Sequence, residues 1–140
     1  MSINSLRPVL VVDDSPAMGK VIQGLLGRNG ILDVDVAHSV PAALAQLRLR
    51  NYRLVICDFF LGDQTGHDLH VEMANKPAWA DTPFLLLTNQ PEKAAELFGK
   101  GALRSWLTKP FTAEALRERI ESALADSLNI YPRLATGTHP

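Results

Sequence analysis

Five polar residues follow short apolar segments of the sequence, at positions where they could act together. In chain order they are Asp13, Asp14, Asp58, Thr88 and Lys109. If the three carboxylates meet, they repel one another and cannot all stay ionised unless a cation joins them. Oxygen ligands in a shallow, wet pocket suit Mg²⁺, which keeps several waters and accepts phosphate oxygens. A lysine ammonium and a threonine hydroxyl beside such a metal would suit a bound phosphoryl group.

The apolar segments before these residues are predicted strands of one sheet. Val9–Val12 and Leu54–Cys57 are uninterrupted apolar runs, typical of strands buried on both faces. The five predicted strands cover residues 9–12, 33–37, 54–57, 84–87 and 105–108. In an open parallel sheet the ligand crevice lies at the carboxyl ends of the strands. We therefore expect the polar residues to gather at that edge.

Five helices are predicted between and after the strands. Ser15-Pro16 is typical of a helix start, with a hydroxyl at the cap and proline at the first helical position. The other predicted helices begin after Ser39, near Asp68, at Pro91 and after Thr112, and the fourth ends at about Lys100. Regular alternation of strands and helices favours a doubly wound α/β fold, with a parallel sheet covered by helices on both faces.

Length and composition limit the kind of protein this is. The 140 residues, 46% of them apolar, suit one compact domain. With 14 basic and 15 acidic residues, the charge balance favours neither nucleic acid nor anionic lipid as a partner. The single cysteine, Cys57, excludes an internal disulfide framework. Because no segment reaches the roughly 18 apolar residues of a membrane span, we expect a cytoplasmic protein.

We predict that the chain is divided into three parts. Residues 1–8 form an N-terminal lead, residues 9–128 the folded domain, and residues 129–140 a flexible tail or the start of a linker. The tail carries Pro132, Gly137 and Pro140 and has no apolar periodicity.

Four motifs, in this order and at these spacings, resemble the receiver domains of two-component response regulators (CheY-like). They are Val11-Val12-Asp13-Asp14-Ser15, Cys57-Asp58 with Gly66 eight positions on, Leu86-Leu87-Thr88, and Leu107-Thr108-Lys109-Pro110-Phe111. The resemblance runs from about Val9 to Leu128. It implies a flavodoxin-like, three-layer α/β/α fold, with five helices and a five-stranded parallel sheet in the order 2-1-3-4-5.

The resemblance also implies a phosphorylation site. Asp58 would be the phosphoacceptor, forming an acyl phosphate by in-line attack on a phosphohistidine donor. Magnesium would be bound by Asp58, by Asp14 directly and by Asp13 largely through water. The backbone carbonyl of Phe60 would complete the protein ligands of Mg²⁺.

Further residues would bind the phosphoryl group and respond to it, again by resemblance. Thr88 would donate a hydrogen bond to one phosphoryl oxygen, and Lys109 would pair with another. The Lys109-Pro110 peptide bond would be cis. Trp106 occupies the position of the family's switch aromatic, which turns inward when the threonine moves.

Asn89 and Phe60 depart from the family pattern. Asn89 stands where a small residue is usual, and it would either narrow access to the phosphate or hydrogen-bond to it. Phe60 stands where many members carry a polar residue. We hypothesise that its ring shields the acyl phosphate from water, which would lengthen the lifetime of the phosphorylated form.

The function implied is a phosphorylation-dependent signalling switch in a phosphorelay, not a turnover enzyme. Its partners would be a histidine kinase or a histidine phosphotransfer protein, and a downstream target. The target, or a second copy of the chain in a homodimer, would bind the face made by the fourth helix, fifth strand and fifth helix. No nucleic acid or membrane would bind this domain. Its catalysis would be limited to its own phosphorylation and autodephosphorylation.

Three other functions stay open. A metal-dependent phosphohydrolase with an aspartyl nucleophile usually needs a second acid two residues later, where this chain has Phe60. A receiver-like module could bind proteins independently of phosphorylation. The chain could also be the N-terminal receiver of a longer regulator, with an effector domain after Pro140.

Some polar residues also have simpler interpretations. Asp13-Asp14 could merely favour the positive end of the first helix. His67 and His70, three residues apart, are expected on a solvated helix face rather than at a metal. Cys57 is expected to be a buried apolar residue.

Overall fold

The computed structural model describes residues 7–99 and 105–136, with side chains described as far as residue 125. The strands of its main sheet are β1 (Val9–Val12), β2 (Val34–Ala37), β3 (Leu54–Asp58), β4 (Phe84–Thr88) and β5 (Trp106–Thr108). Its helices are α1 (Pro16–Arg28), α2 (Val40–Leu49), α3 (Gly66–Ala74), α4 (Pro91–Phe98) and α5 (Ala113–Thr136). Strands and helices alternate along the chain, as predicted.

The main sheet is parallel throughout, in the order β2-β1-β3-β4-β5. This confirms the expected order 2-1-3-4-5. β1, β3 and β4 are buried along their whole length, as continuous apolar runs predict. The register pairs Val12 with Cys57, so the next residues, Asp13 and Asp58, emerge side by side at the carboxyl edge.

Alternate residues of the strands face two separate cores. Leu10 and Val12 belong to a core shared with α2, α3 and α4. Val9 and Val11 belong to the opposite core, shared with α1 and α5. The fold is therefore three layered, α/β/α, with helices covering both faces of the sheet.

The helix starts near the site follow the capping pattern in the sequence. The Ser15 hydroxyl accepts from the backbone N–H of Met18 at 3.2 Å, with Pro16 at the first helical position. Thr65 caps α3 in a reciprocal capping box with Asp68. This cap starts α3 at Gly66, two residues before the predicted start.

A short antiparallel ribbon follows β3 and was not predicted. Its two strands are Phe60–Leu61 and Gln64–Thr65, with Phe60 paired to Thr65. Gly62 lies in the connecting turn at φ 79°, a conformation that glycine adopts without steric cost. The ribbon fixes the backbone immediately after Asp58.

Two helix ends differ from the prediction. α4 ends at Phe98 and is followed by Gly99 at φ 82°; Lys100, the predicted end, lies outside the described residues. α5 continues to Thr136, whereas a flexible tail or the start of a linker was expected from residue 129. The division into lead, domain and tail stays a prediction.

Membrane-spanning helices are absent from the described part of the chain. None of its helices combines the length and the apolar composition that crossing a bilayer requires.

Candidate functional site

Three carboxylates converge at the carboxyl edge of the sheet. Asp13 and Asp14 follow β1, and Asp58 ends the neighbouring strand β3. One carboxylate oxygen from each lies within 4.8 Å of those of the other two. Asp13 and Asp58 are buried, with 1% and 8% of their surface exposed, whereas Asp14 is exposed. The site therefore opens to solvent on the Asp14 side.

Asp13 takes part in three hydrogen bonds, and one of its carboxylate oxygens has no partner among the described residues. Its Oδ1 accepts from the backbone N–H of Ser15 at 2.9 Å, and its own N–H donates to the carbonyl of Ala37 at 3.0 Å. His38 Nδ1 lies 2.9 Å from the Asp13 carbonyl oxygen, to which the Nδ1–H tautomer donates. Oδ2 is buried and has no hydrogen-bond partner among the described residues. A buried carboxylate oxygen without a donor fits a cation ligand.

The electrostatics of the cluster lead to the same conclusion. Burial raises the pKa of Asp13, and repulsion from Asp58 and Asp14 raises this pKa further. A divalent cation would remove that repulsion, and the cation or a water bound to it would be the missing partner of Oδ2. The oxygen-only ligand set suits Mg²⁺. The residues present therefore fit the expected magnesium ion.

Lys109 provides the positive charge of the site. Its Nζ lies 2.5 Å from Asp58 Oδ1, and its backbone N–H donates to the carbonyl of Thr88 at 2.9 Å. The Lys109-Pro110 peptide bond is cis, as the resemblance implied. The ion pair places an ammonium group directly on the expected phosphoacceptor.

Thr88 and Asn89 lie at the end of β4, next to β3. Thr88 is 1% exposed, and its Oγ1 accepts from the backbone N–H of Gln90 at 2.9 Å. Because the oxygen acts as acceptor there, the hydroxyl hydrogen stays available to donate. Asn89 is exposed. Thr88 is thus buried beside the acidic cluster, whereas Asn89 lies at the surface.

Phe60 contacts a residue that sequence reasoning missed. Its side chain is 40% exposed and packs edge-on against Phe59, with ring centroids 4.8 Å apart. Lys93 Nζ lies over the Phe60 ring, 5.9 Å from its centroid. A lysine in the first turn of a helix carries no local sign of such a contact. His38, whose contact with Asp13 is equally non-local, was missed for the same reason.

Trp106 lies on the edge strand β5. It is 43% exposed and pairs with Leu86 of β4. The ring is therefore not buried against the sheet in this structure. Its assignment as a switch stays a prediction.

The expectation for His67 and His70 was wrong. The His70 ring packs edge-on against Phe84 and tilted against Phe98, with centroid separations of 5.0 and 5.2 Å. The His67 ring packs edge-on against Phe98 at 5.0 Å. Both histidines thus join an aromatic cluster between α3 and α4 instead of a solvated face. Burial, with a smaller contribution from His67, lowers the pKa of His70.

Cys57 is buried, as expected, and its Sγ lies 3.2 Å from the backbone carbonyl of Asp58. Burial raises the pKa of this thiol well above its usual value, and the nearby Asp58 and Asp13 act in the same direction. Since the thiolate is the reactive form, burial disfavours reaction at Cys57.

Known proteins share this fold and sequence pattern. The sequence model of the response regulator receiver domain matches residues 9–121. The chain is 29% identical over 118 residues to a chemotaxis protein CheY homolog of Campylobacter jejuni, covering 83% of this chain and 91% of that protein. It is 37% identical over 120 residues to the transcriptional regulatory protein ZraR of Salmonella typhimurium, covering 84% of this chain and 26% of ZraR. The structure of the chemotaxis response regulator CheY4 of Vibrio cholerae matches with a TM-score of 0.74 and 28% identity, over 85% of this chain and 99% of that one.

Proposed function

The chain belongs to the response regulator receiver domain family, and from this membership we propose that it is a phosphorylation-dependent signalling switch whose phosphoacceptor is Asp58. Members of this family act in two-component signalling. The proposed donor is a histidine kinase or a histidine phosphotransfer protein, and the proposed location is the cytoplasm. Turnover of a separate substrate is not part of this function.

One arrangement supports the proposal above all others. The Asp58 carboxylate lies among three carboxylates whose oxygens are within 4.8 Å, and the Lys109 ammonium is 2.5 Å from its Oδ1. The carboxylates suit a divalent cation and the ammonium suits a phosphoryl oxygen. Both positive groups are needed when a dianion is attached to an anionic side chain.

The metal would be held by Asp13, Asp14, Asp58 and the backbone carbonyl of Phe60. The unpaired, buried Oδ2 of Asp13 supports this ligand set. When bound, Mg²⁺ supplies charge neutralisation for the carboxylates and for the incoming phosphoryl oxygens.

The transfer itself is a single displacement at phosphorus. An Asp58 carboxylate oxygen forms a bond to phosphorus while the P–N bond of the donor phosphohistidine breaks, and the imidazole nitrogen leaves with the electron pair. Lys109 is proposed to move from Asp58 Oδ1 to a phosphoryl oxygen. The Thr88 hydroxyl is proposed to donate to another phosphoryl oxygen, and Asn89 to border the entrance.

The partner-binding face is proposed to be formed by α4, β5 and α5. Leu97 of α4 and Trp106 of β5 are large apolar side chains exposed there, at 46% and 43%. Inward movement of Trp106 when Thr88 engages the phosphoryl group is the proposed switch. A downstream target, or a second copy of the chain, would respond to that change.

A longer regulator remains the second candidate function. The match to ZraR covers 26% of that protein, so receivers of this kind also occur within longer chains. In that case, phosphorylation of Asp58 would control an effector domain elsewhere in the same chain. The chemistry at Asp58 would be unchanged.

Intact-mass measurement after incubation with Mg²⁺ and acetyl phosphate tests the proposal. We expect the wild-type chain to gain one phosphoryl group and Asp58→Ala to gain none. Glu96→Ala, which removes an exposed acid from α4, is the control and should gain one group. An equal gain in wild type and Asp58→Ala would contradict Asp58 as acceptor. No gain in the wild type, with acetyl phosphate or with a phosphohistidine donor, would favour the phosphorylation-independent binding module.

A further inference from the structure

The Lys93–Phe60 contact joins the loop after β3 to the helix after β4, two neighbouring strands of the sheet. Phe60 follows β3, and Lys93 lies in the first turn of α4, which follows β4. Nζ of the lysine lies 5.9 Å from the centroid of the ring. This distance is within the range of a cation–π interaction. The contact is therefore a direct connection between the β3–α3 loop and α4.

The Phe60 ring is only partly fixed by the rest of the protein. Its backbone is held by pairing with Thr65, and one side of the ring meets the buried Phe59. Forty per cent of the residue is nevertheless exposed. A half-exposed ring has other rotamers available, so one additional contact can decide which of them is populated.

The contact lies at the edge where Asp58 and Thr88 end neighbouring strands. In the sheet register, Asp58 pairs with Leu87, the residue before Thr88. Phe60 lies two positions after Asp58, and Lys93 lies five positions after Thr88. Their contact therefore connects the segments that follow these two strand ends. Both segments begin at the edge of the sheet that carries Asp58.

We propose that Lys93 is a positioning residue that fixes the Phe60 ring at the edge of the sheet where Asp58 ends β3, and that the ring held there limits access of water and so slows hydrolysis of the phosphorylated form. This inference rests on the proposed function. In the hydrolysis, a water oxygen bonds to phosphorus while the bond between phosphorus and the Asp58 oxygen breaks. Inorganic phosphate leaves, and the Asp58 carboxylate is restored. Lys93 acts through the ring and does not itself take part in this step.

A direct electrostatic effect of Lys93 is the competing explanation. Its ammonium group could interact with the phosphoryl dianion without any help from the ring. The two explanations differ in what Lys93 does once the ring is gone. A positioning role disappears with the ring, whereas a direct charge effect persists.

The experiment follows loss of the phosphoryl group by intact mass, after removal of acetyl phosphate, in Mg²⁺ buffer. It compares wild type, Lys93→Met, Lys93→Arg, Phe60→Asn and the double variant Phe60→Asn/Lys93→Met. Methionine keeps the apolar length of lysine without its charge, and arginine keeps the cation. Lys76→Met, an exposed lysine in the α3–β4 loop, is the charge-matched control.

We expect Lys93→Met to lose the phosphoryl group about two to five times faster than wild type, the factor that corresponds to a cation–π contact at an exposed site. Lys93→Arg and Lys76→Met should keep the wild-type rate. In the Phe60→Asn background, Lys93→Met should have no further effect.

Three results would overturn the inference. An unchanged rate in Lys93→Met would show that the contact does not control hydrolysis. An effect of Lys93→Met of the same size with and without the ring would assign it to direct charge. Failure of the wild-type chain to gain a phosphoryl group would overturn the proposed function, and this inference with it. In the first two results Asp58 is still phosphorylated, so the two failures are distinguishable.

Discussion

Gly66 is a residue at which the site leaves no room for a side chain. A Cβ added there would lie 2.9 Å from the carbonyl oxygen of Asp58 and 2.8 Å from Cδ1 of Leu86. The Leu86 side chain can shift, but the Asp58 carbonyl belongs to the strand that carries the phosphoacceptor. The close approach of α3 to β3 therefore depends on glycine at this position.

We predict that Gly66→Ala lowers the free energy of unfolding by about 1–3 kcal/mol, the usual cost of overpacking. Gly24→Ala in α1 is the matched control, because a Cβ there meets nothing within 4 Å. Alanine is the better helix former, so this control should be more stable than wild type by about 0.5–1 kcal/mol. Urea unfolding measures both. A Gly66→Ala protein as stable as wild type would show that β3 and α3 can separate at no cost.

At the scale of elements, α3 is joined to α4 and to the start of β4 by the rings of His67, His70, Phe98 and Phe84. The His70 imidazole in this cluster is a titratable group. Burial lowers the pKa of His70 in the folded state, so the unfolded chain binds the proton more readily. The contribution of His70 to the free energy of unfolding is therefore fully present above the unfolded pKa of about 6.5, and it decreases as the pH falls below that value.

We predict that His70→Phe, which keeps an aromatic ring without a titrating group, reduces this loss of stability. Between pH 7.5 and pH 5, the free energy of unfolding should decrease more in wild type than in His70→Phe. Denaturant unfolding at a series of pH values measures the difference. Equal decreases in the two proteins would contradict a role for His70 in the pH dependence.

The sequence predicts elements well where the cause is local, and less well where it is not. The apolar runs identify β1 and β3, and the Ser15-Pro16 pair identifies the start of α1, because these patterns act within one element. The packing of His70 against Phe84 depends on how α3 lies against the sheet. Spacing along one helix contains no information about that neighbour.

For the whole molecule, the position of the site follows from the order of the strands. Asp13 and Asp58 are 45 positions apart in the sequence and become neighbours only because β1 and β3 pair in parallel. The motifs and their resemblance to receiver domains predicted this convergence and the cis Lys109-Pro110 bond. They did not predict the support of Asp13 by His38 or the contact of Lys93 with Phe60, since both depend on side-chain positions set by the completed fold.

The same convergence gives the acidic cluster an effect on global stability. Unfolding separates β1 from β3 and moves the three carboxylates apart. Their mutual repulsion, and the binding of a cation by all three, therefore occur only in the folded state. The raised pKa of Asp13 means that its charge opposes folding at neutral pH when no cation is present. A cation that binds only the folded chain adds stability, about 2.7 kcal/mol at 100 times its dissociation constant.

We therefore predict opposite responses of Asp13→Asn with and without Mg²⁺. In EDTA this variant should unfold at a higher temperature than wild type, by roughly 2–8 °C for a relief of about 1 kcal/mol, because one repelling charge is gone while an oxygen can still accept from Ser15. In Mg²⁺ the wild type should gain much more thermal stability than the variant, because a ligand is missing. Asp81→Asn, a change of the same type at an exposed position, should keep the full magnesium response. Calorimetry in EDTA and in Mg²⁺ measures all three, and an equal gain in wild type and Asp13→Asn would exclude Asp13 from the metal site.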